Sequence, residues 1–504
     1  MSSVEAPHRA KADRPAEAPA SAAAQPLYAA RQKVYPKRVF GKVRSVKWAV
    51  LTLCLALYYI VPWIRWDRGP GVPDQAVLVD IANARIFLFW IEIWPQEIYF
   101  LTGALILGAF GLFAVSSLFG RLWCGFTCPQ TVWTDLFMFV ERWIQGDRNA
   151  RMKLDQGPHD TNYWVRKSLT HGVWLLIAAA TGGAWVMYFV DAPTVTMQIL
   201  TGHASAQVYF FVALFTGFTY LLAGWAREQV CTYMCPWPRF QAAMLDENSL
   251  VVTYRDWRGE PRGKLKAEGV GDCVDCFACV HVCPTGIDIR DGQQLECIGC
   301  GLCVDACDSV MSKLGRPKGL VAFETLKNLS ASAAATAGMA PGPDRFKAGM
   351  AARQMPRFVR PRTLMYAGAL TAVALVMLGA FLMRSTLNVT VLRDRAPLFV
   401  RLSDGAVRNA YTIKIVNKTR DEAPLALVLQ APEGFHMTVQ DVEDDAQGRP
   451  VLHRRADGIA QYRVFVTVPH GQRIAEDTPV SFRLLDAQGR AVASQSSNFL
   501  GPKS

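Results

Sequence analysis

Apolar residues along this chain gather into five long stretches: about 47–65, 98–119, 172–190, 207–225 and 364–383. Each is long enough to cross a bilayer as a helix, which takes roughly 20 apolar residues. Five together argue against helices buried in a soluble core. From residue 385 the period changes. Runs such as NVTVLRD, AYTIKIVNKT and YRVFVTVP alternate or are β-branched, with turn residues between them. This pattern predicts six to eight short strands in an antiparallel, Ig-like β-sandwich. The sandwich holds no cysteine, so no disulfide staples it.

Charge gives the helices an orientation. The chain has 504 residues, 51% of them hydrophobic, and a net charge of +12. Segment 31–48 carries Arg31, Lys33, Lys37, Arg38, Lys42, Arg44 and Lys47, whereas the loop 191–206 carries no basic residue. The loop 66–97 carries only Arg68 and Arg85, while 120–171 and 226–362 are rich in lysine and arginine. By the positive-inside rule the N-terminus and the segment after the fourth span are cytoplasmic, and the sandwich is periplasmic. The expected location is a bacterial inner membrane, crossed several times. Trp90, Trp94 and Tyr99 are expected at the outer interface. The high pI then needs no nucleic-acid partner, and no nucleic-acid motif is present.

The expected organisation follows. Residues 1–35, rich in Ala, Pro and Glu, form a disordered cytoplasmic tail. Residues 36–240 form a four-span bundle, and 241–325 a cysteine-rich domain. Residues 326–362, rich in Ala, Gly and Pro, form a flexible linker. A fifth span at 363–384 leads to the sandwich at 385–504.

The cysteine-rich domain carries the chemistry. Cys273, Cys276, Cys279 and Cys283, then Cys297, Cys300, Cys303 and Cys307, repeat the spacing C-x2-C-x2-C-x3-C. This is the ligand pattern of a two-cluster ferredoxin, in which the fourth cysteine of each run serves the other cluster. Cluster one is assigned to Cys273, Cys276, Cys279 and Cys307. Cluster two takes Cys297, Cys300, Cys303 and Cys283. Zinc usually takes separated pairs and suits this packing less well. The fold class is therefore a multi-domain membrane protein. It combines a five-span helical bundle, a ferredoxin-like α+β segment with two [4Fe–4S] clusters, and an all-β Ig-like sandwich.

Two further pairs, Cys124/Cys128 and Cys231/Cys235, share the pattern C-x3-C-P just beyond the second and fourth spans. On a helix each pair places its thiols on one face. Four soft sulfurs suit Cu(I), zinc or an iron–sulfur centre, or they can cycle through disulfides. The bland alternative is inert packing. Arg121, Trp123, Arg227, Trp237 and Arg239 flank the pairs, and the arginines favour thiolate. Asp135 and Glu228 are candidate proton carriers, and Cys54 is a candidate fifth thiol. His171 and His203 offer no paired haem ligands. His281 is a candidate tuner of a cluster potential, and His436 with Met437 forms a weak metal candidate.

The segments WCGFTCPQTVWTD (123–135), REQVCTYMCPWPRFQAAMLDENSLVVTYRDWRGEPRG (227–263), the eight-cysteine run (271–308) and RPRTLMY (360–366) resemble the FixG/CcoG/RdxA family. The Ala-rich stretch before RPRTLMY departs from that family's pattern. The resemblance implies an accessory protein for assembly of a cbb-type cytochrome c oxidase, an oxidoreductase that reduces Cu(II) to Cu(I). Cys124, Cys128, Cys231 and Cys235 would then be the catalytic, copper-binding residues, with copper as substrate. Implied partners are oxidase subunits or a copper chaperone, an unidentified cytoplasmic electron donor, membrane lipid, and a second copy of the chain. The alternatives are a quinone-linked electron conduit and a non-catalytic scaffold.

Overall fold

The computed structural model describes residues 33–504 except Pro70, Lys266, Arg420, Asp421, Asp457, Arg473, Ile474, Lys503 and Ser504. Most of the expected N-terminal tail (1–32) thus lies outside the described residues. Its last part is docked. Lys33 Nζ and Tyr35 Oη donate to Asp155 at 2.6 and 2.7 Å.

Two compact units divide the chain at Ala374/Leu375. In the first, five helical segments are long and apolar enough to cross a membrane: Lys42–Trp63, Pro95–Phe119, Thr161–Val186, Ala206–Ala226 and Pro361–Leu382. The helices run α1 (Lys42–Ile60), α2 (Tyr99–Phe119), α3 (Pro129–Gln145), α4 (Arg148–Gln156), α5 (Thr161–Val186), α6 (Ala192–Thr201) and α7 (Ala206–Thr219). After them come α8 (Trp237–Met244), α9 (Asp256–Gly259), α10 (Ala278–His281) and α11 (Leu302–Lys313). Last in this unit come α12 (Leu326–Ala335) and α13 (Pro343–Ala351), and α14 (Pro361–Leu382) runs on into the second.

The loop between α1 and α2 is a small antiparallel sheet, β1 (Val77–Asp80), β2 (Arg85–Leu88) and β3 (Ile91–Ile93). It corrects one expectation. Trp90 is 71% exposed, but Trp94 is only 2% exposed. The Arg85 guanidinium lies 3.9 Å from its ring centroid, and this cation–π contact turns the indole inward.

The cysteine-rich segment is closed by a two-stranded clasp. β4 (Leu250–Tyr254) pairs antiparallel with β5 (Val321–Thr325), so Leu250 faces Thr325 across the entire cysteine run. Its core joins Val252, Tyr254, Ile289, Met311, Leu320 and Val321 to the buried Cys273, Cys279 and Cys307.

The expected flexible linker is not one. Within 326–362, α12 and α13 fold into a packed pair. Ser332 Oγ donates to Gly349 O at 2.7 Å, and Asn328 Nδ2 donates to Gln354 O at 2.8 Å. Gly349 lies against the Trp257 ring, where a Cβ would collide. Alanine is the best helix former, so this Ala-rich composition supports helices once one face finds a partner.

The second unit is a β-sandwich. One sheet has the order β10 (His436–Val439), β12 (Gly458–Val468), β8 (Val407–Asn417), β6 (Leu387–Arg393), with β7 (Val400–Arg401) also on β8. The other has the order β11 (Val451–His453), β9 (Pro424–Gln430), β13 (Asp477–Leu485), β14 (Ala491–Leu500). Alternating inward residues fill the space between them, including Tyr411, Ile413, Ile415, Val464, Val466, Phe482 and Phe499. His436 is exposed on β10 while Met437 packs partly against this core. Nothing draws the two together as ligands, and among the described residues no three His, Cys, Asp or Glu side chains close on a single ion.

Candidate redox centre

The eight ferredoxin-type cysteines line two voids. One is bordered by Cys279, Cys283, Cys297, Cys300 and Cys303. The other is bordered by Cys273, Cys276, Cys279 and Cys307. Cys279 thus lines both voids, and each of the other seven cysteines lines one. Backbone geometry lets the neighbouring protein close tightly on the cluster-two loop. Gly299 and Gly301 have φ of 69° and 68°, a left-handed conformation that glycine adopts without strain. A Cβ at Gly301 would strike Phe323 and Val43. Four or more thiols around each enclosed, largely apolar void fit a [4Fe–4S] cluster, which is held by four cysteine thiolates.

This module is keyed to the helical bundle. The Asp305 carboxylate accepts from the backbone N–H groups of Val43 at 3.2 Å and Arg44 at 2.7 Å. It thus caps α1, whose own preceding residue, Gly41, offers no side-chain cap. Lys37 N–H donates to His281 O at 2.7 Å. Arg121, just past α2, is buried and donates to the backbone carbonyls of Leu295, of Cys297 at 2.8 Å, and of Pro238 at 2.9 Å.

The two C-x3-C-P motifs adopt the same unusual turn. Cys128 N–H donates to Trp123 O at 2.9 Å, and Cys235 N–H donates to Val230 O at 2.8 Å. These are i→i+5 bonds, single π-helical turns at Trp123–Thr127 and Val230–Met234. Such turns recur at functional sites. The proline after each second cysteine lets the chain leave in a new direction. The two pairs share one neighbourhood without closing on a single point: Cys128, Cys231 and Cys235 all act electrostatically on Cys124. Cys124 and Cys231 also pack in one apolar cluster with Cys300, Ile298 and Val282 of the cluster-two loop. Gly125 permits this approach, since a Cβ there would lie 2.9 Å from Gly299 O and 3.0 Å from Cys300 Cα.

Thiol protonation differs from the expectation. Burial, then repulsion from Cys128, pushes the Cys124 and Cys231 thiols up to about 12, against the opposing pull of Arg121 and Lys47 respectively. Metal-free Cys124 and Cys231 are therefore neutral thiols near pH 7. Cys124 Sγ–H donates to Gln241 Oε1 at 3.1 Å. Gln241 was not expected in the site, and only its place one helical turn after Trp237 hints at it. Cys54 is a half-buried free thiol on α1.

The flanking charges have structural partners. Asp135 meets Arg44 at 2.7 Å, Lys47 at 3.4 Å and Arg142 at 3.9 Å. Burial opposes its ionisation, but Lys47 and Arg44 outweigh that and hold the carboxyl below the usual range. A carboxylate so held does not exchange protons near neutrality, which corrects its expected role. Arg227 grips Glu141 through both guanidinium nitrogens at 3.1 Å, and Arg151 adds a bond at 2.7 Å. Glu228 lines the recess beside Cys231 together with Lys47, Thr285 and Ile298. Trp237 stacks on Phe113, and Arg239 and Trp123 are exposed. His171 Nδ1 bonds Tyr220 Oη at 2.8 Å, and His203 sits exposed before α7. The His281 imidazole is held below its usual range by burial and by Arg148 and Lys37.

Comparison with known proteins places these parts in a family. A 4Fe-4S dicluster domain model matches residues 226–326, which include Cys231, Cys235 and all eight ferredoxin-type cysteines. A 4Fe-4S binding domain model matches 101–148, including Cys124 and Cys128. The model of the IG-like fold at the C-terminal of FixG matches 377–502. The nitrogen fixation protein FixG of Rhizobium meliloti is 49% identical over 467 residues, covering 90% of this chain and 89% of its own. Protein RdxB of Cereibacter sphaeroides is 48% identical over 90% of this chain and 96% of its own. Protein RdxA of the same organism is 44% identical over 95% of this chain and 100% of its own. With apolar helices, dicluster segment and terminal sandwich matched in the same order along nearly the whole length, the chain belongs to the FixG/RdxA family of membrane iron–sulfur redox proteins.

Proposed function

We propose that this protein reduces Cu(II) to Cu(I) at Cys124, Cys128, Cys231 and Cys235, in support of assembly of a cbb-type cytochrome c oxidase. One observation carries the reading: one cysteine of each motif, Cys124 and Cys231, packs in the same apolar cluster as Cys300 of the cluster-two loop. The clusters, when bound, supply reversible one-electron storage. The chain's own residues do the rest. Gly125 removes side-chain bulk between the thiols and the Cys300 backbone. Gln241 accepts the Cys124 proton-side hydrogen bond and orients that sulfur. Neutral thiols give up protons on binding copper, and the resulting thiolates favour Cu(I) over Cu(II). The step is balanced as Cu(II) plus one electron giving Cu(I), with a cytoplasmic reductant as the source.

The same reading puts the N-terminus and clusters on the cytoplasmic side of the inner membrane and the sandwich in the periplasm, docking an oxidase subunit or copper chaperone. It also admits a homodimer. A purified Cys231→Ser/Cys235→Ser protein should lose Cu(II) reduction while its iron and sulfide content stays at the wild-type level. Unchanged reduction would refute the site.

A second reading has one specific support: the 4Fe-4S binding domain match encloses Cys124 and Cys128. Four thiols also equal the ligand number of a further cluster. Iron equivalent to three clusters rather than two, falling on mutation of Cys124, would establish it in place of copper.

A further inference from the structure

The charges around the two cluster sites are unequal. Beside cluster two, Lys47 is buried at the start of α1. It is the leading cation acting on Cys300 and also acts on Cys231. Lys47, Arg44 and Arg142 share one carboxylate, Asp135, and the buried Asp305 carboxylate, two residues past Cys303, is a second anion bonded to the amides of Val43 and Arg44. Arg121 adds a second buried guanidinium, bonded to three backbone carbonyls, two of them within the cluster-two loop, with Glu296 facing it. Glu228 faces Cys231 from the other side of the recess.

Beside cluster one carboxylates outnumber cations, even counting Arg258 and Arg316, which share Asp272 next to Cys273. Its leading cation, Arg290, is claimed by two carboxylates, Asp288 at 2.6 Å and Asp275 at 2.5 Å. Asp308 acts on Cys307, and Glu260 lies near Tyr254 beside Cys273.

We propose that Lys47, in the N-terminal part of the first apolar helix, holds the cluster-two site at a more positive potential than the cluster-one site, so that electrons collect on the side nearer Cys124 and Cys231. The physical ground is Coulombic. Reduction adds negative charge to a cluster, and a fixed cation in a low-dielectric surround stabilises that added charge more strongly than one in water. Lys47 is a positioning charge rather than a ligand. The inference rests on the iron–sulfur reading and is independent of whether copper is the substrate.

The test is a potentiometric titration of the full-length protein in lipid nanodiscs, followed by EPR. Loss of one signal in Cys303→Ser assigns that midpoint to cluster two. In Lys47→Met the cluster-two midpoint should fall far enough to shift electron distribution between the clusters at least tenfold, about 59 mV for one electron. The cluster-one midpoint should stay in place, and Lys47→Arg should keep most of the wild-type value. The substitution leaves Asp135 its shorter partner, Arg44. Arg121→Gln should lower the same midpoint, and it decides the matter if Lys47→Met does not assemble. An unmoved cluster-two midpoint, equal movement of both midpoints, or a fall in Lys47→Arg as deep as in Lys47→Met would overturn the proposal. Absence of any reduced-cluster signal would instead strike the iron–sulfur reading itself.

Discussion

The carboxylate of Asp305, two residues past Cys303, accepts hydrogen bonds from the first-turn amides of α1 at Val43 and Arg44. A residue inside the cluster motif thereby serves as the N-cap of the first apolar helix. Helix-capping side chains contribute about 1 kcal/mol, and this bond is part-buried or buried at both donors. Asp305→Ala should lower stability by about 1–2 kcal/mol, read as a lower detergent-solubilised melting temperature. Gly41→Ala should do more harm, because its new Cβ would collide with that same carboxylate.

Gly125 offers a separate test of contact between the motif thiols and cluster two. Its added methyl in Gly125→Ala meets Gly299 O and Cys300 backbone. The surfaces must part by a few tenths of an ångström. Cluster absorbance should survive, while Cu(II) reduction by pre-reduced protein slows. Equal rates in wild type and variant would show that the contact does not matter to transfer.

Arg227 holds a positive φ of 42°, a conformation that costs a non-glycine residue energy. Its bidentate grip on Glu141 offsets that cost. Arg227→Gly should therefore destabilise despite the easier backbone, by about 3 kcal/mol, since it leaves a buried carboxylate short of a partner. Chemical denaturation of the detergent-solubilised protein would measure this. Arg227→Lys should recover only part, lacking the planar fork.

Thiol protonation yields a pH prediction. The raised Cys124 and Cys231 pKa values mean these thiols stay protonated until pH approaches about 12. Thiolate is the reactive form. In metal-free protein, alkylation followed by mass spectrometry should label the exposed Cys235 first. Labelling of Cys124 and Cys231 should be slow at pH 8 and accelerate steadily as pH rises.

Much of this architecture was legible because membrane helices must be apolar for a full bilayer thickness. All five segments match their expected positions within a few residues, except that α5 starts earlier, at Thr161. Cluster cysteines were legible because close spacing has few other uses. What escaped was the direction of polar residues. Lys47 counted only as a basic residue at a membrane edge and Arg121 as a flank of the Cys124/Cys128 pair, yet both turn inward. Composition does not separate a solvated lysine from one facing a carboxylate. Nothing in the spacing of the cysteines singles out Asp305. The α12–α13 pair was hidden because Ala, Gly and Pro signal flexibility when no partner is known. Its buried Asn328 and Ser332, four residues apart, were the available clue. The π-helical turns carried no recognised signal beyond the repeated C-x3-C-P.

The pairing of Leu250 with Thr325 brings both ends of the cysteine-bearing loop side by side. Chain enters and leaves that loop through a doorway one strand-spacing wide. A different metal-binding loop of any length could thus be grafted between β4 and β5 without moving α8 or α12, much as a cartridge is exchanged in a fixed holder. The electron-carrying insert and the helical frame can thus change on separate schedules, constrained at points such as Asp305, Arg121, Lys37 and Gly125, where one is fastened to the other.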